Sequence, residues 1–387
     1  MSHPNLGLLF IIYPSSVLLK YNTSEKRTCE DDALMFKIKT LLRWFLLTAL
    51  LFFPFMLYVP FYFDDGDSKK PGNAAIEGWG VDTSRSVSHY VTPDNDTSLI
   101  VSNELCSEPL LLLVIICSAV NNTLERMTIR KTWGNCSNPS YSLVFLLGTT
   151  ENSTLQENVE EESNLHNDII QENFLDSYNN LTLKSVMMLK FVKNRCKNVR
   201  YIFKCDDDMF VYLPNLLALI KVLDEKNVKN VLIGKLICGA KPILEVRSKW
   251  YAPRYLFSEK VYPNYLSGTG YLMDRHTALD LYEAALEIPY LHLEDVFITG
   301  LCARKAKIKP RHHSGFTYLT RPLDPCLYIK NENVITSHRV TTSNMTQLWT
   351  ALNNGTKCFN GQNTHPLPIK LEFLKPSSSV GKKNRCS

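Results

Sequence analysis

The chain has 387 residues, with 43 Lys+Arg against 38 Asp+Glu and 11 cysteines. At 45% hydrophobic and 21% charged it is neither disordered nor highly charged, and 16 Gly with 19 Pro exclude a collagen-like or low-complexity chain. A net charge of +5 gives no reason to invoke nucleic acid, the cysteines are too sparse for a small disulfide scaffold, and the length allows about two to three domains.

In chain order, Leu6–Leu19 is apolar but interrupted by Pro14, Ser15 and Ser16, and is too short to span a bilayer. Met35 precedes a basic flank, so residues 1–34 are expected to be an unusual extension or a misplaced start. Trp44–Phe63 then runs 20 residues without a charge, long enough for a membrane-spanning helix, with aromatics at both ends. Lys37, Lys39 and Arg43 precede it and Asp64, Asp65 and Asp67 follow it, which leaves the N-terminus cytosolic and the rest of the chain lumenal. The expected organisation is a cytosolic tail (1–43), a transmembrane signal-anchor (44–63), a stem (64–105) rich in Asp, Ser, Asn and Gly, and a lumenal domain (106–387). Seven sequons follow the anchor, at Asn95, Asn121, Asn135, Asn152, Asn180, Asn344 and Asn354, and ten of the eleven cysteines lie on the same side.

The lumenal part alternates. Leu110–Cys117 (LLLLVIIC) predicts a strand buried on both faces, Asn122–Trp133 a helix, Tyr141–Leu147 a second strand and Glu151–Asn164 an acidic helix or loop. Asp168–Gln171 predicts a short strand, Leu181–Cys196 a helix with apolar Leu183, Val186, Met187, Leu189 and Phe191, and Arg200–Lys204 (RYIFK) another strand. This alternation predicts an α/β domain with a parallel or mostly parallel sheet.

Three features bear chemistry. Asp206, Asp207 and Asp208 directly follow the RYIFK strand, where ligands bind in open α/β sheets. Their mutual repulsion is relieved by a cation, and an Asp-x-Asp pair suits Mg²⁺ or Mn²⁺ gripping a diphosphate; the alternative is a solvated acidic turn. Glu294 and Asp295 open an apolar helical run, either as helix-dipole compensation or as a general base for an attacking hydroxyl. Between them, Gly268 and Gly270 in YPNYLSGTGY permit close backbone approach beside tyrosines able to stack on a sugar, and RSKWY adds Trp250. His338, after a strand-like run, is either an imidazole ligand or a structural histidine.

In order and spacing, RMTIRKTWG (Arg126–Gly134), VFLLG (Val144–Gly148), DIIQENFLDSYNNLTLKS (Asp168–Ser185), YIFKCDDDMFV (Tyr201–Val211), EVRSKWYAPRYL (Glu245–Leu256), YPNYLSGTGYLM (Tyr262–Met273) and LEDVFITGLC (Leu293–Cys302) resemble the β1,3-glycosyltransferase family of animal Golgi membranes, and within it the β1,3-galactosyltransferase branch. The resemblance implies a GT-A-like fold and inverting transfer of galactose from UDP-galactose to the 3-hydroxyl of an acceptor glycan, such as a terminal GlcNAc, on lipid or protein. It implies Mn²⁺ or Mg²⁺ as cofactor, with Asp208 and His338 as ligands and Asp206 on the metal or the donor ribose. Asp295 would be the base with Glu294 beside it, and Arg126, Arg130, Trp133, Lys184, Asp207, Trp250, Gly268 and Gly270 would line or brace the donor pocket. UDP-GlcNAc or UDP-GalNAc with the same mechanism, or a non-catalytic glycan-binding protein on this scaffold, are the competing readings. The family commonly has Cys where this chain has Leu266, so a family disulfide is expected to be missing or rerouted, with Cys117, Cys136, Cys205, Cys238 and Cys358 as alternatives or free thiols.

Overall fold

The structure is a computed structural model that describes residues 37, 39–50, 52, 74–102, 104–135, 140–355, 358, 369, 371 and 373. The chain divides into two units, Met1–Ser68 and Lys69–Ser387. In the first, residues 39–50 form an exposed helix, α1. Residues 51 and 53–63 of the expected anchor lie outside the described residues, and among those described no helix is long and apolar enough to cross a membrane.

The second unit begins with α2 (Val87–Val91) and strand β1 (Ser98–Ile100). Strands β2 (Leu110–Cys117), β3 (Tyr141–Thr149) and β4 (Ile169–Leu175) follow, alternating with helices α3 (Thr123–Lys131), α4 (Ser153–His166) and α5 (Leu181–Asn194). Then come β5 (Val199–Asp206), β6 (Phe210–Val211), α6 (Leu213–Glu225), β7 (Leu232–Ile237), β8 (Tyr265–Asp274) and α7 (Arg275–Glu287). A π-helical turn (Val296–Cys302), α8 (Ala303–Lys305), β9 (Arg311–His312), α9 (Pro325–Ile329), β10 (Thr336–Ser337) and α10 (Thr342–Asn353) complete it.

The continuous apolar run of β2 explains the layering. Leu112 through Ile116 are all fully buried, and successive side chains feed opposite faces of the sheet. Leu113, Ile115 and Cys117 join a core with α2, α5 and α7, whereas Leu112, Val114 and Ile116 join one with α3, α6 and α10. The result is helices on both faces of one sheet.

The strand order is β1-β4-β3-β2-β5-β8-β7-β9. Its centre, β4-β3-β2-β5, is parallel as expected. The flanks are not: β1 runs antiparallel to β4, and β8 runs antiparallel to both β5 and β7. The sheet is therefore mixed, because β8 returns against β5 instead of crossing over. The chain leaves β2 toward β3 and β4, then returns to β2's other side as β5. That reversal makes the carboxyl ends of β2 and β5 the topological switch point.

The expected stem boundary at residue 105 is corrected. Val87 and Val91 are fully buried in the core, β1 extends the sheet, and Trp79, 2% exposed, stacks on Tyr290 with ring centroids 3.5 Å apart. Trp79 Nε1 also donates to Asn180 Oδ1 at 3.0 Å, while Asn180 Nδ2 donates to Leu175 O at 2.9 Å. Both ends of the Asn180 amide are thus used by the fold, which sets this sequon apart from the exposed Asn95, Asn121, Asn135, Asn152 and Asn354.

Disulfides join Cys106 to Cys196 and Cys326 to Cys358, and Cys238 is also disulfide-bonded; Cys117, Cys205 and Cys302 are buried free thiols. Leu266 is fully buried, its N–H donating to Thr299 Oγ1 at 2.8 Å. Trp79→Ala should lower unfolding free energy by about 3–5 kcal/mol in denaturant titration, the usual range for removing a buried Trp; a change under about 1 kcal/mol would show that residues 74–102 are dispensable to the fold.

Candidate active site

At the switch point Cys117 lies opposite Asp206 in the β2–β5 register. The loop leaving β2 therefore faces the three aspartates leaving β5. Ser118 Oγ donates to Asp207 Oδ2 at 2.7 Å, and Asn122 Nδ2 donates to the same oxygen at 2.9 Å. Burial raises the Asp207 pKa while these two donors oppose the rise. Asp207 is thus the aspartate that joins the two strand ends, whereas Asp206 and Asp208 keep partly exposed side chains.

Three buried cations brace the same place. Arg126, 0% exposed, donates to Ser118 Oγ at 3.1 Å, Ala119 O at 2.6 Å, Val120 O at 3.2 Å and both carboxylate oxygens of Glu162 at 2.9 and 2.7 Å. Lys184 donates to Ser118 O at 2.8 Å and to Asp176 Oδ2 at 2.9 Å. Lys204, on β5, donates to Asp206 Oδ1 at 2.7 Å and Gly268 O at 2.6 Å, with Glu294 Oε2 at 3.9 Å. Burial alone would lower the Lys204 pKa, but the charges of Asp206 and Glu294 hold it well above the ordinary lysine value.

Arg126, Arg130 and Lys184 therefore brace the site without opening onto it. Arg130 is spent on Asp168 (2.8 Å) and Glu162 (2.7 Å), and its guanidinium lies 4.7 Å over the Phe145 ring. Trp133 does not line a pocket: it is 1% exposed within the core, and its Nε1 has no partner among the described residues. Gly270 belongs to strand packing, since a Cβ there would meet Phe203 Cζ at 3.3 Å.

The second carboxylate pair sits across β8. Glu294 is buried, and its Oε1 accepts from Ser185 Oγ at 2.8 Å and Tyr271 Oη at 2.7 Å. Asp295 is half-buried, with Oδ1 accepting from Val296 N at 2.8 Å. Burial and the neighbouring Glu294 charge push its pKa up to about 7, against backbone donors at Val296 and Gly268 and the charge of Lys204. Gly268 makes this proximity possible: a Cβ on it would lie 2.8 Å from Glu294 Oε2 and 3.3 Å from the Asp295 Cβ.

Beside Asp295 is an aromatic ledge. Trp250 is 49% and Tyr178 46% exposed, and Lys249 Nζ lies 4.9 Å over the Trp250 ring and 5.8 Å over that of Tyr178. Burial raises the Tyr178 pKa to about 12, with the Asp295 charge the next contributor, which places this ring within the field of Asp295. Trp250 thus belongs to one cluster with Lys249 and Tyr178.

On the other side, β6 pairs with β10, so the aspartate loop is stitched to His338. His338 Nε2 lies 3.2 Å from Asp208 Oδ2, and Nδ1 meets Tyr318 O at 2.8 Å. Burial lowers the His338 pKa, but the hydrogen bond and charge of Asp208 outweigh it and the net shift is upward. Asp208 Oδ1 is buried with no partner among the described residues. No group of three or more His, Cys, Asp or Glu converges into a metal-holding cluster among the described residues. Sequence patterning does not single out Ser118, Asn122, Glu162, Asp176, Lys204 or Tyr178, and Tyr271, expected among the tyrosines able to stack on a sugar, is instead fully buried on Glu294. Lys204 alone carried a signal, a charged residue inside an otherwise apolar strand.

Glu162→Ala should lower unfolding free energy by about 3–5 kcal/mol, because two buried guanidinium groups lose their shared counter-charge. A loss below about 1 kcal/mol by thermal and chemical denaturation would refute the bracing role.

A galactosyltransferase family model matches residues 124–314. Over 263 residues the chain is 37% identical to beta-1,3-galactosyltransferase 1 of Mus musculus and of Homo sapiens, covering 67% of this chain and 79% of those relatives. It is 33% identical over 270 residues to lactosylceramide 1,3-N-acetyl-beta-D-glucosaminyltransferase of Mus musculus, covering 67% of this chain and 71% of that one. A solved structure of galactosyltransferase LgtC with donor and acceptor sugar analogues aligns at a TM-score of 0.34 and 12% identity, over 63% of this chain and 98% of that one, too loosely to carry an argument. The chain belongs to the galactosyltransferase family of β1,3-glycosyltransferases and is a hexosyltransferase.

Proposed function

We propose that this enzyme transfers galactose from UDP-galactose, with inversion, to the 3-hydroxyl of an acceptor glycan carried on lipid or protein, on a GT-A-like fold. The observation that carries the reading is Asp295, a half-buried carboxylate whose pKa lies near 7, beside exposed Trp250 and Tyr178. Such a group is matched to accept the proton of a hydroxyl nucleophile at neutral pH. The aromatic faces suit stacking against a pyranose.

The residues at Asp208 fit a divalent cation such as Mn²⁺ or Mg²⁺. Asp208 has one buried oxygen without a partner and a second at 3.2 Å from the His338 imidazole, with Asp206 one residue removed from it. Asp208 and His338 would hold the ion, which supplies charge neutralisation for the departing diphosphate. The chain's own residues do the rest. Asp207 fixes the β5 loop to the β2 loop, Lys204 and Gly268 set the base beside that loop, and Asp295 removes the acceptor proton as the hydroxyl attacks in line.

The disulfides Cys106–Cys196 and Cys326–Cys358 support an oxidising compartment, and with the apolar run at 44–63 they support a type II membrane protein of the Golgi lumen. The 33% identity to an N-acetylglucosaminyltransferase favours a second reading with UDP-GlcNAc as donor and the same chemistry.

Assaying the chain against UDP-Gal, UDP-GlcNAc and UDP-GalNAc with β-linked acceptors tests the donor; turnover is expected with UDP-Gal, and turnover confined to another donor overturns the choice. The acceptor kcat/KM should rise with pH through about 7, because protonated Asp295 cannot accept the proton. Asp295→Asn should lose about 10²–10⁴-fold in rate while keeping UDP binding. A fully active Asp295→Asn enzyme would remove Asp295 as the base.

A further inference from the structure

The ammonium of Lys204 lies between the two halves of the site. It is buried on the central strand β5 and contacts Asp206 Oδ1 at 2.7 Å on one side and Gly268 O at 2.6 Å on the other, with Glu294 Oε2 at 3.9 Å. Two of its N–H donors are oriented by groups on β5 and β8, and Glu294, ahead of the π-helical turn, is a neighbouring charge. A lysine this deeply buried, 3% exposed, is stable only as long as those anionic and carbonyl partners stay in place. Conversely, the partners are held at a fixed separation by it.

We propose that Lys204 is a positioning residue for sugar transfer, linking the donor-side aspartate loop to the base so that the two stand at a fixed separation. This rests on Asp295 being the base. Gly268 is the connecting piece: its carbonyl is held by Lys204, its missing Cβ makes room for Glu294, and its backbone N–H bears on Asp295. Displacing Gly268 would therefore move Glu294 and Asp295 together, relative to Asp206. A shift of about 1 Å in such an arrangement costs on the order of 10²-fold in rate.

Lys204 is also the positive charge set among the groups that face Asp295. Those groups are Glu294 beside it, Tyr178 ahead of α5, and Tyr262 and Tyr265 at the entry to β8, with backbone donors at Val296 and Gly268. Removing the ammonium leaves Asp295 facing Glu294 without its compensating charge, which favours the protonated acid.

The test is the pH profile of acceptor kcat/KM on the full chain. In Lys204→Met the acid limb should move to higher pH by about one unit, with kcat reduced by about 10²-fold. In Lys204→Arg the limb should stay at the wild-type position although kcat falls, since a planar guanidinium keeps the charge but not the reach. If Lys204→Met does not fold, Lys204→Gln, a neutral donor, should give the same alkaline shift. A limb unmoved in the neutral variants, or moved equally in Lys204→Arg, beside a normal wild-type limb and an inactive Asp295→Asn, overturns the inference alone. A wild-type profile without the limb, or an active Asp295→Asn, overturns the base assignment and this inference with it.

Discussion

Buried cations must be paired, and that requirement organises the catalytic end of this enzyme. Arg126, Lys184 and Lys204 each expose 3% or less of their surface. An unpaired charge in such surroundings would destabilise the fold by several kcal/mol, so each cation is surrounded by acceptors. Most of those acceptors lie at the switch point: Ser118, Ala119 and Val120 on the loop after β2, Asp206 at the end of β5, and Gly268 on β8. Glu162 on α4 and Asp176 after β4 supply the counter-charges of Arg126 and Lys184. Two helices and one strand, α3, α5 and β5, thus direct their cations at one switch point, and the loops they hold gain rigidity that their backbone alone would lack.

The same logic separates the two acidic pairs. Asp207 and Glu294 spend their oxygens on hydroxyls and an amide: Ser118 and Asn122 for the first, Ser185 and Tyr271 for the second. Asp208 and Asp295 stand next to them in sequence: one Asp208 oxygen is buried without a partner among the described residues, and Asp295 accepts from the backbone at Val296 and Gly268. The proposed ion ligand and the proposed base are thus each next in sequence to a carboxylate held by side-chain donors.

Strand and helix patterning made most of the parallel core legible. Within the runs LLLLVIIC and RYIFK only Arg200 is exposed, as expected of strands covered on both faces. The aspartates and Glu294–Asp295 were legible because consecutive carboxylates after apolar elements have few structural uses. What patterning could not show was long-range. The antiparallel return of β8 depends on pairing across 60 residues or more, as with Lys204 opposite Tyr271. Residues 74–102 read as linker because their Asp, Ser and Thr hide Trp79, Val87 and Val91, whose partners Tyr290 and Asn180 lie far along the chain. Arg126, Arg130 and Trp133 are expected from their motif to line or brace the donor pocket, and burial consumes or encloses their polar atoms, which leaves the two arginines bracing. Spacing along a helix cannot reveal that Glu162 and Asp168 already answer those guanidinium groups.

The bond between Cys106 and Cys196 spans 90 residues and closes just before β5 begins at Val199. Everything between the two cysteines is β2, β3, β4 and their helices, so the bond turns the first half of the parallel sheet into a ring. The ring ends three residues before β5, the strand that bears Lys204 and Asp206. Parallel pairing of β5 with β2 is a distant contact, and distant contacts fold slowly because a long loop must be gathered first. With the ring closed, that gathering is already done: β2 begins four residues after Cys106 and β5 three residues after Cys196, so the two strands start side by side. The covalent cross-link thereby lowers the entropy cost of bringing together the two strand ends that carry the site.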